Sequence, residues 1–244
     1  CDGLTTALIV WGIGTSPYVT MDVAMVALVG YLLLSIHAYL AAEDKTFFEH
    51  HGVDFPGLAG AVVDYASKLG SGQRARGGST ITQQVAKNLL IGDEYSPTRK
   101  VKEMILAYRM EGVLSKQQIL ELYLNQIFLG RNAYGVQAAS RAYFDKDVAD
   151  LTLPEMAYLA ILPKGPANYR PESPTGHERA LERRNWALGA MQANGWITAA
   201  QRDAARAAPL GLRRFRLLGG ADNLINVQIC LDRLPLGADA DGLI

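Results

Sequence analysis

The chain has little cysteine, no net charge and no clear strand pattern. Cys1 and Cys230 are the only cysteines among 244 residues, too few for a disulfide framework or a metal-ligand set. Lys and Arg together number 24, as do Asp and Glu, so no basic field indicates a nucleic-acid partner. Runs of alternating polar and apolar residues are also missing, which favours a mainly α fold.

The first 40 residues contain no Lys or Arg, and an uncharged run of 18 residues extends from Val23 to Leu40. A run of this length only just reaches that of a transmembrane helix. Because the run is only just long enough, we expect a membrane-embedded or membrane-apposed segment rather than a spanning one. The alternative, supported by Ser35 and His37 within the run, is a buried or interfacial helix of the globular domain.

Signals for helix starts recur through the rest of the chain. Asp54 followed by Pro56 predicts a helix to about Leu69, and the next residues to Gly78 read as a flexible loop. Ser or Thr followed three residues later by Gln or Glu has the spacing of a capping box. That spacing occurs at Thr80, Ser115, Thr152 and Thr198. Further helices are predicted from Ser96 to about Glu111, from Gly135 to Phe144 and from about His177 to Asn194.

The stretch from Gly77 to Asn88, GGSTITQQVAKN, is dense in uncharged hydrogen-bonding side chains. A solvated helix face would favour Glu and Lys, and a core helix would favour Leu and Ile. Hydroxyls, amides and one lysine in this density suit a surface that binds hydroxyl and phosphate oxygens. The candidate binding residues are Ser79, Thr80, Gln83, Gln84 and Lys87.

Two adjacent carboxylates, Glu43 and Asp44, follow the apolar run. Apolar surroundings raise the pKa of a carboxyl group and suit it to accept a proton near neutral pH. An acidic helix cap is the simpler interpretation of the pair alone. Phe47, His50 and Gly52 complete the pattern E-D-x-x-F-x-x-H-x-G, which favours the functional interpretation.

A third cluster contains Arg99, Lys100, Lys102 and Glu103. On a helix, Arg99, Lys100 and Glu103 share one face, because residues three and four apart are neighbours there. Such spacing usually means a surface ion-pair ladder. Several cations close together also suit an anionic leaving group such as a pyrophosphate.

These three patterns, with two more downstream, resemble the five signatures of the peptidoglycan glycosyltransferases, glycosyltransferase family 51. The fourth includes Lys116, Glu121, Tyr123 and Asn125, and the fifth lies between Leu153 and Pro171. All five occur in the order typical of the family, over about residues 41–212. No S-x-x-K or K-T-G element of a transpeptidase occurs, and the sequence looks most like the N-terminal half of a class A penicillin-binding protein.

The resemblance implies a lysozyme-like helical domain with a smaller membrane-apposed lobe. It implies that Glu43 is the catalytic base and that Glu103 is the second acidic residue. Lipid II is the implied substrate. The side chains implied to bind it are Asp44, Phe47, His50, Ser79, Thr80, Gln83, Gln84, Lys87, Arg99, Lys100, Lys102 and Asn125. His50 is expected to be a hydrogen-bonding scaffold, and Asn125 to organise the cleft.

The chain accordingly divides into an apolar membrane-associated segment (1–40), a glycosyltransferase domain (41–212) and an unassigned tail (213–244). The resemblance implies as partners lipid II, the growing glycan strand, the membrane and other cell-wall synthesis proteins. It places the domain on the periplasmic or extracellular face of the bacterial cytoplasmic membrane. A divalent cation, Mg²⁺ or Mn²⁺, is a candidate cofactor.

Two other functions compete with this interpretation. A lysozyme-like glycoside hydrolase or lytic enzyme would use Glu43 and Glu103 as its acid pair. The cations and the apolar flank argue against it, because hydrolysis releases no pyrophosphate. An inactive membrane scaffold that only binds lipid II or a partner in the cell-division machinery would be expected to lack one of the two acids, and both are present.

Overall fold

The computed structural model describes residues 33–69, 77–91 and 97–212. The two cysteines, most of the predicted apolar segment, most of the predicted loop before Gly78 and the C-terminal tail lie outside the described residues.

The described part of the chain is built from helices. No strand ladder occurs in it, only two isolated bridges, His51 to Val53 and Phe128 to Tyr134. The predicted mainly α fold is thus confirmed. Residues 33–43 are helical (α1), and the helices that follow are α2 (Phe55–Ser67), α3 (Ile81–Ala86), α4 (Pro97–Val113), α5 (Lys116–Gln126), α6 (Val136–Phe144), α7 (Leu153–Ile161), α8 (Pro174–Ala193) and α9 (Ala199–Ala207).

The predicted helix starts are set by side chains that cap the first free amides. Capping boxes form at Thr80, Ser115, Thr152 and Thr198, as their spacing predicts. Asp54 caps α2 by accepting a hydrogen bond of 2.8 Å from the backbone N–H of Gly57.

Two helices differ from the sequence prediction. α8 begins at Pro174, three residues before the predicted start at His177, because Ser173 Oγ caps the N–H of Gly176 at 3.0 Å. Proline suits this first position, since it has no N–H to leave unpaired. The helix of the Gly77–Asn88 stretch is α-helical only over Ile81–Ala86 and continues as a π-helical turn, Lys87–Ile91.

The core lies around α7, whose residues from Met156 to Ile161 are all buried. α7 packs mainly on α8, and α3 packs on α4 and α5. Gly52 brings the segment after α1 against α4, because a Cβ there would lie 2.6 Å from the carbonyl oxygen of Ala107. Its φ of +80° also favours glycine. This close approach sets residues 43–50 beside α3 and α4.

Within residues 33–69, 77–91 and 97–212, no helix combines the length and the apolar character needed to cross a membrane. The part of the predicted apolar run that is described, residues 33–40, forms most of α1 and packs into the core through Ala38, Tyr39 and Leu40.

Candidate active-site cleft

Glu43 and Glu103 line the same cleft, which encloses about 880 Å³. Sixty positions separate them in the sequence, so the fold and not local sequence brings them to one cleft. Most of the residues predicted from the signatures join them there. The predicted residues that line the cleft are Glu43, Asp44, Ser79, Thr80, Gln83, Gln84, Lys87, Arg99, Lys100 and Glu103.

Glu43 is the last residue of α1, and it lines the cleft. Gln84 Nε2 donates a hydrogen bond of 2.9 Å to Glu43 Oε2. Burial raises the pKa of Glu43 to about 7, although the Gln84 hydrogen bond and the charges of Arg183 and Lys164 favour the ionised form. A carboxyl group with a pKa near neutral pH is suited to accept a proton and to release it again.

Asp44, next to Glu43, has a different environment. It is buried, and its Oδ2 accepts a hydrogen bond of 2.9 Å from the backbone N–H of Ile81, the first residue of α3. His50 Nε2 lies 3.0 Å from the same oxygen. Asp44 therefore ties the start of α3 to the end of α1, which orients Gln84 toward Glu43.

Thr80 and Thr82 anchor α3 further. Thr80 Oγ1 donates a hydrogen bond of 2.6 Å to the carbonyl oxygen of Gly52, while its capping box engages Gln83. Thr82 Oγ1 donates at 2.6 Å to Glu111 Oε1, and Lys116 Nζ lies 2.7 Å from that oxygen. α3 is thus held to α4 and, through Glu111, to Lys116, the first residue of α5.

Lys100 lies at the centre of a polar cluster that includes Glu103, the second predicted acidic residue. Its Nζ lies 2.9 Å from Ser79 Oγ, 3.3 Å from Gln83 Oε1 and 2.9 Å from Glu103 Oε2. Arg99 Nε lies 3.1 Å from the other oxygen of Glu103, whose side chain is almost fully buried. Two cations facing one carboxylate leave a local excess of one positive charge. That excess suits an anionic group entering the cleft.

Four of the predicted binding residues do not line the cleft. Phe47 is fully buried, and Lys116 Nζ lies 4.5 Å from its ring centroid. His50 reaches the site only through Asp44. Lys102 is exposed on α4, and Asn125 is exposed on α5, where its Nδ2 donates to the carbonyl oxygen of Glu121 at 2.9 Å.

We call the cleft-lining residues of 79–87 and 99–103 the motif wall. A second set of cleft residues, the α8 wall, was missed by the sequence analysis. Its members are Pro163, Lys164, Arg183, Trp186, Ala190 and Asn194. Arg183, Trp186, Ala190 and Asn194 recur at helical spacing, which predicts one face of a helix. Sequence offers no sign of what that face meets.

The predicted divalent cation can be tested against the residues present. Within the described part of the chain, no three His, Cys, Asp or Glu side chains lie close enough together to hold a metal ion. Both oxygens of Glu103 already face cations. These residues do not fit a metal ion held by the protein alone, so the steps below are derived from the side chains of the chain itself.

Comparison with known proteins identifies the family. The sequence profile described as transglycosylase matches residues 28–192. Penicillin-binding protein 1A of Neisseria lactamica is 50% identical over 179 residues, covering 73% of this chain and 22% of the relative. The corresponding protein of Vibrio cholerae is 48% identical over 175 residues, covering 72% of this chain and 21% of the relative.

A solved structure, penicillin-binding protein 1A of Haemophilus influenzae, is 45% identical, with a TM-score of 0.39, covering 42% of this chain and 15% of that one. The chain spans about a fifth of the length of the two curated relatives, 22% and 21%. The family profile covers more than half of this chain, and it agrees with the family predicted from the five signatures. The chain belongs to the transglycosylase family.

Proposed function

We propose that this domain is a peptidoglycan glycosyltransferase that polymerises lipid II, a disaccharide-pentapeptide on undecaprenyl pyrophosphate. Glu43 takes the proton from the 4-hydroxyl of the acceptor's N-acetylglucosamine. The freed oxygen attacks C1 of the donor's N-acetylmuramic acid. The bond from C1 to the lipid pyrophosphate breaks with inversion, and undecaprenyl pyrophosphate leaves with the electron pair.

The observation that carries this proposal is the cleft shared by Glu43 and the cationic group around Glu103. Two consecutive side chains of α3 connect the two centres. Gln84 donates to Glu43, while Gln83 accepts from Lys100, which in turn contacts Glu103. A base and a set of cations held this way would keep the attacking oxygen and the leaving group in a fixed relation.

Charge supports the assignment of the leaving group. Lys100 and Arg99 together exceed the charge of Glu103, and Lys87 lines the same cleft. Prearranged cations stabilise negative charge as it develops on departing phosphates. Ser79 lies beside them, and its hydroxyl group can donate to a sugar or phosphate oxygen. The hydroxyl of Thr80 is already engaged by Gly52 and Gln83, so Thr80 acts by anchoring α3.

The hydrolase alternative is not favoured. A typical glycosidase uses one carboxyl group as general acid and a second carboxylate as nucleophile or as the base that activates water. It releases no anionic leaving group. In this cleft Glu103 is paired with two cations rather than kept free for acid–base work. The family match to transglycosylases points in the same direction.

The decisive experiment compares Glu43→Gln with the wild-type chain in a lipid II polymerisation assay. Gln has nearly the same size as Glu and still forms hydrogen bonds, but it cannot accept the proton. We therefore expect a rate loss of about 10³-fold, in the range typical of a general base. Glu49→Gln is the matched control, because Glu49 is exposed in the same segment. Retained polymerisation by Glu43→Gln would exclude it as the base. Consumption of finished glycan but not of lipid II would replace the proposal with the hydrolase.

We also propose that the domain works against the outer face of the bacterial cytoplasmic membrane. There it would meet its lipid-linked substrate, the growing glycan strand and other cell-wall synthesis proteins. The support comes from α2, where large apolar side chains face solvent. Phe55, Val62, Val63 and Tyr65 are each more than 60% exposed. An exposed apolar patch of this kind is typical of a membrane or protein contact.

Vesicle cosedimentation tests this placement. The double variant Val62→Asp/Val63→Asp should lose most binding to vesicles of phosphatidylethanolamine and phosphatidylglycerol, because it puts charge into the apolar surface. Ala199→Asp/Ala200→Asp adds the same charge at exposed positions of α9 and should bind like the wild type. Equal binding by both double variants would show that α2 does not contact the membrane.

A further inference from the structure

One face of α8 lies along the cleft without a role in the reaction above. Arg183, Trp186 and Ala190 lie on this face, and Asn194 is the C-cap residue at its end. All four line the cleft. Their chemistry differs from that of the motif wall. The motif wall offers cations and hydroxyls, whereas this face offers an aromatic ring, a guanidinium group and an amide.

Trp186 is the most unusual member of this face. Its side chain lies in the cleft lining, yet 46% of the residue is exposed. An aromatic ring that lies in a cleft lining with nearly half its surface open offers an apolar face for a ligand to cover. Trp196, by comparison, is stacked on His37, with ring centroids 4.7 Å apart.

Arg183 is fixed against Trp186 and has an unused donor. Its guanidinium carbon lies 3.7 Å from the centroid of the Trp186 ring, a cation–π contact. Its Nε is buried and makes no hydrogen bond to the described residues. The guanidinium group as a whole is only half-buried and lines the cleft, so it can donate to an acceptor brought in by a ligand. Arg183 and Glu43 line the same cleft, and the positive charge of Arg183 favours the ionised form of Glu43.

Asn194, at the end of this face, adds a polar group. Its Nδ2 donates to the carbonyl oxygen of Ala190 at 2.8 Å, which fixes the orientation of the amide. Between Trp186 and Asn194 lies the small side chain of Ala190, which leaves room for a bulky ring. An aromatic platform with fixed polar groups at its sides suits a pyranose, which has apolar C–H faces and a polar rim.

We propose that Arg183, Trp186 and Asn194 form a saccharide subsite for a pyranose ring of the substrate glycan. The ring stacks on the exposed part of the indole, and the Arg183 guanidinium group donates to an oxygen on its rim. This inference rests on the proposed function for the identity of the glycan. The subsite would hold a sugar beside the two that react at Glu43, so it would affect substrate affinity more than the rate of the chemical step.

Binding of a lipid-free tetrasaccharide of alternating N-acetylglucosamine and N-acetylmuramic acid tests the subsite without catalysis. Calorimetry should show a dissociation constant about tenfold higher for Trp186→Leu, the size of a lost aromatic contact. Trp186→Phe should restore most of the affinity. Tyr134→Leu is the control, because Tyr134 is an exposed aromatic that does not line the cleft. Asn194→Ala provides a second variant, with an expected weakening of about threefold.

The same variants separate this inference from the proposed function. In the lipid II assay, Trp186→Leu should raise KM about tenfold with kcat nearly unchanged. Normal KM and normal tetrasaccharide binding by folded Trp186→Leu would overturn the subsite and leave the polymerase intact. If Trp186→Leu loses vesicle binding but keeps saccharide binding, Trp186 contacts lipid, and the subsite is overturned in that case too. If Trp186→Leu weakens tetrasaccharide binding but the wild-type chain does not polymerise lipid II, the subsite stands and only the proposed function fails.

Discussion

The two walls of the cleft differ in whether their polar groups are paired within the protein. On the motif wall the polar atoms are paired with one another, as Lys100 is with Ser79, Gln83 and Glu103. On the α8 wall, Trp186 is half exposed and Arg183 Nε has no partner among the described residues. The first arrangement fixes charge before any substrate arrives, which suits stabilisation of a transition state. The second leaves surface and a donor for a ligand, which suits binding.

The neighbours Arg183 and Arg184 show the same contrast on one helix. Arg184 is fully buried and donates to the carbonyl oxygens of Ala208 and Arg206 at 2.8 and 3.0 Å. It thereby fastens the end of α9 to α8. Arg183 instead turns toward the cleft and stacks on Trp186. Residue type alone therefore does not separate an architectural arginine from one that faces the site.

The largest effect in this comparison is expected from Lys100→Met, which breaks the motif wall at its centre. Glu103 would keep only Arg99, and Ser79 and Gln83 would lose a shared partner. We expect the rate of lipid II polymerisation to fall about 10²- to 10³-fold, as for loss of one prearranged group at a developing charge. Arg109→Met is the control, because Arg109 is an exposed cation on the same helix. A fall of less than threefold would show that the group around Glu103 is only architectural.

A smaller effect is expected at Gln84, and it appears in the pH dependence. Glu43 must be ionised to take a proton, so the rate should fall tenfold per pH unit below its pKa of about 7. The Gln84 hydrogen bond favours the ionised form and lowers this pKa. Gln84→Leu should therefore move the acid limb of the kcat/KM profile, which reports groups of the free enzyme, to higher pH.

The expected displacement is less than one pH unit, because a net hydrogen bond of about 1 kcal/mol corresponds to about 0.7 of a pKa unit. Gln137→Leu, a change on α6 outside the cleft lining, should leave the limb in place. A displacement to lower pH by Gln84→Leu would mean that another group sets the limb.

Much of the local structure could be predicted because its causes are local. Thr80 and Ser115 start helices through contacts only three residues away. The early start of α8 was missed because the cap came from Ser173, which the sequence analysis did not consider. Lys102 and Asn125 were predicted to bind substrate because they lie within signatures. Sharing a signature does not fix which way a side chain faces, and both lie exposed outside the cleft lining.

By itself the sequence determined the helical class, most of the caps, the family and every member of the motif wall, because these depend on spacing within short segments. Tertiary structure decided the environment of Glu43. The pKa of its carboxyl group depends on burial and on Gln84, Arg183 and Lys164, all of which are distant along the chain. It also decided that one face of α8 borders the cleft. Burial and long-range charge are set by packing between segments, and spacing within a segment carries no record of them.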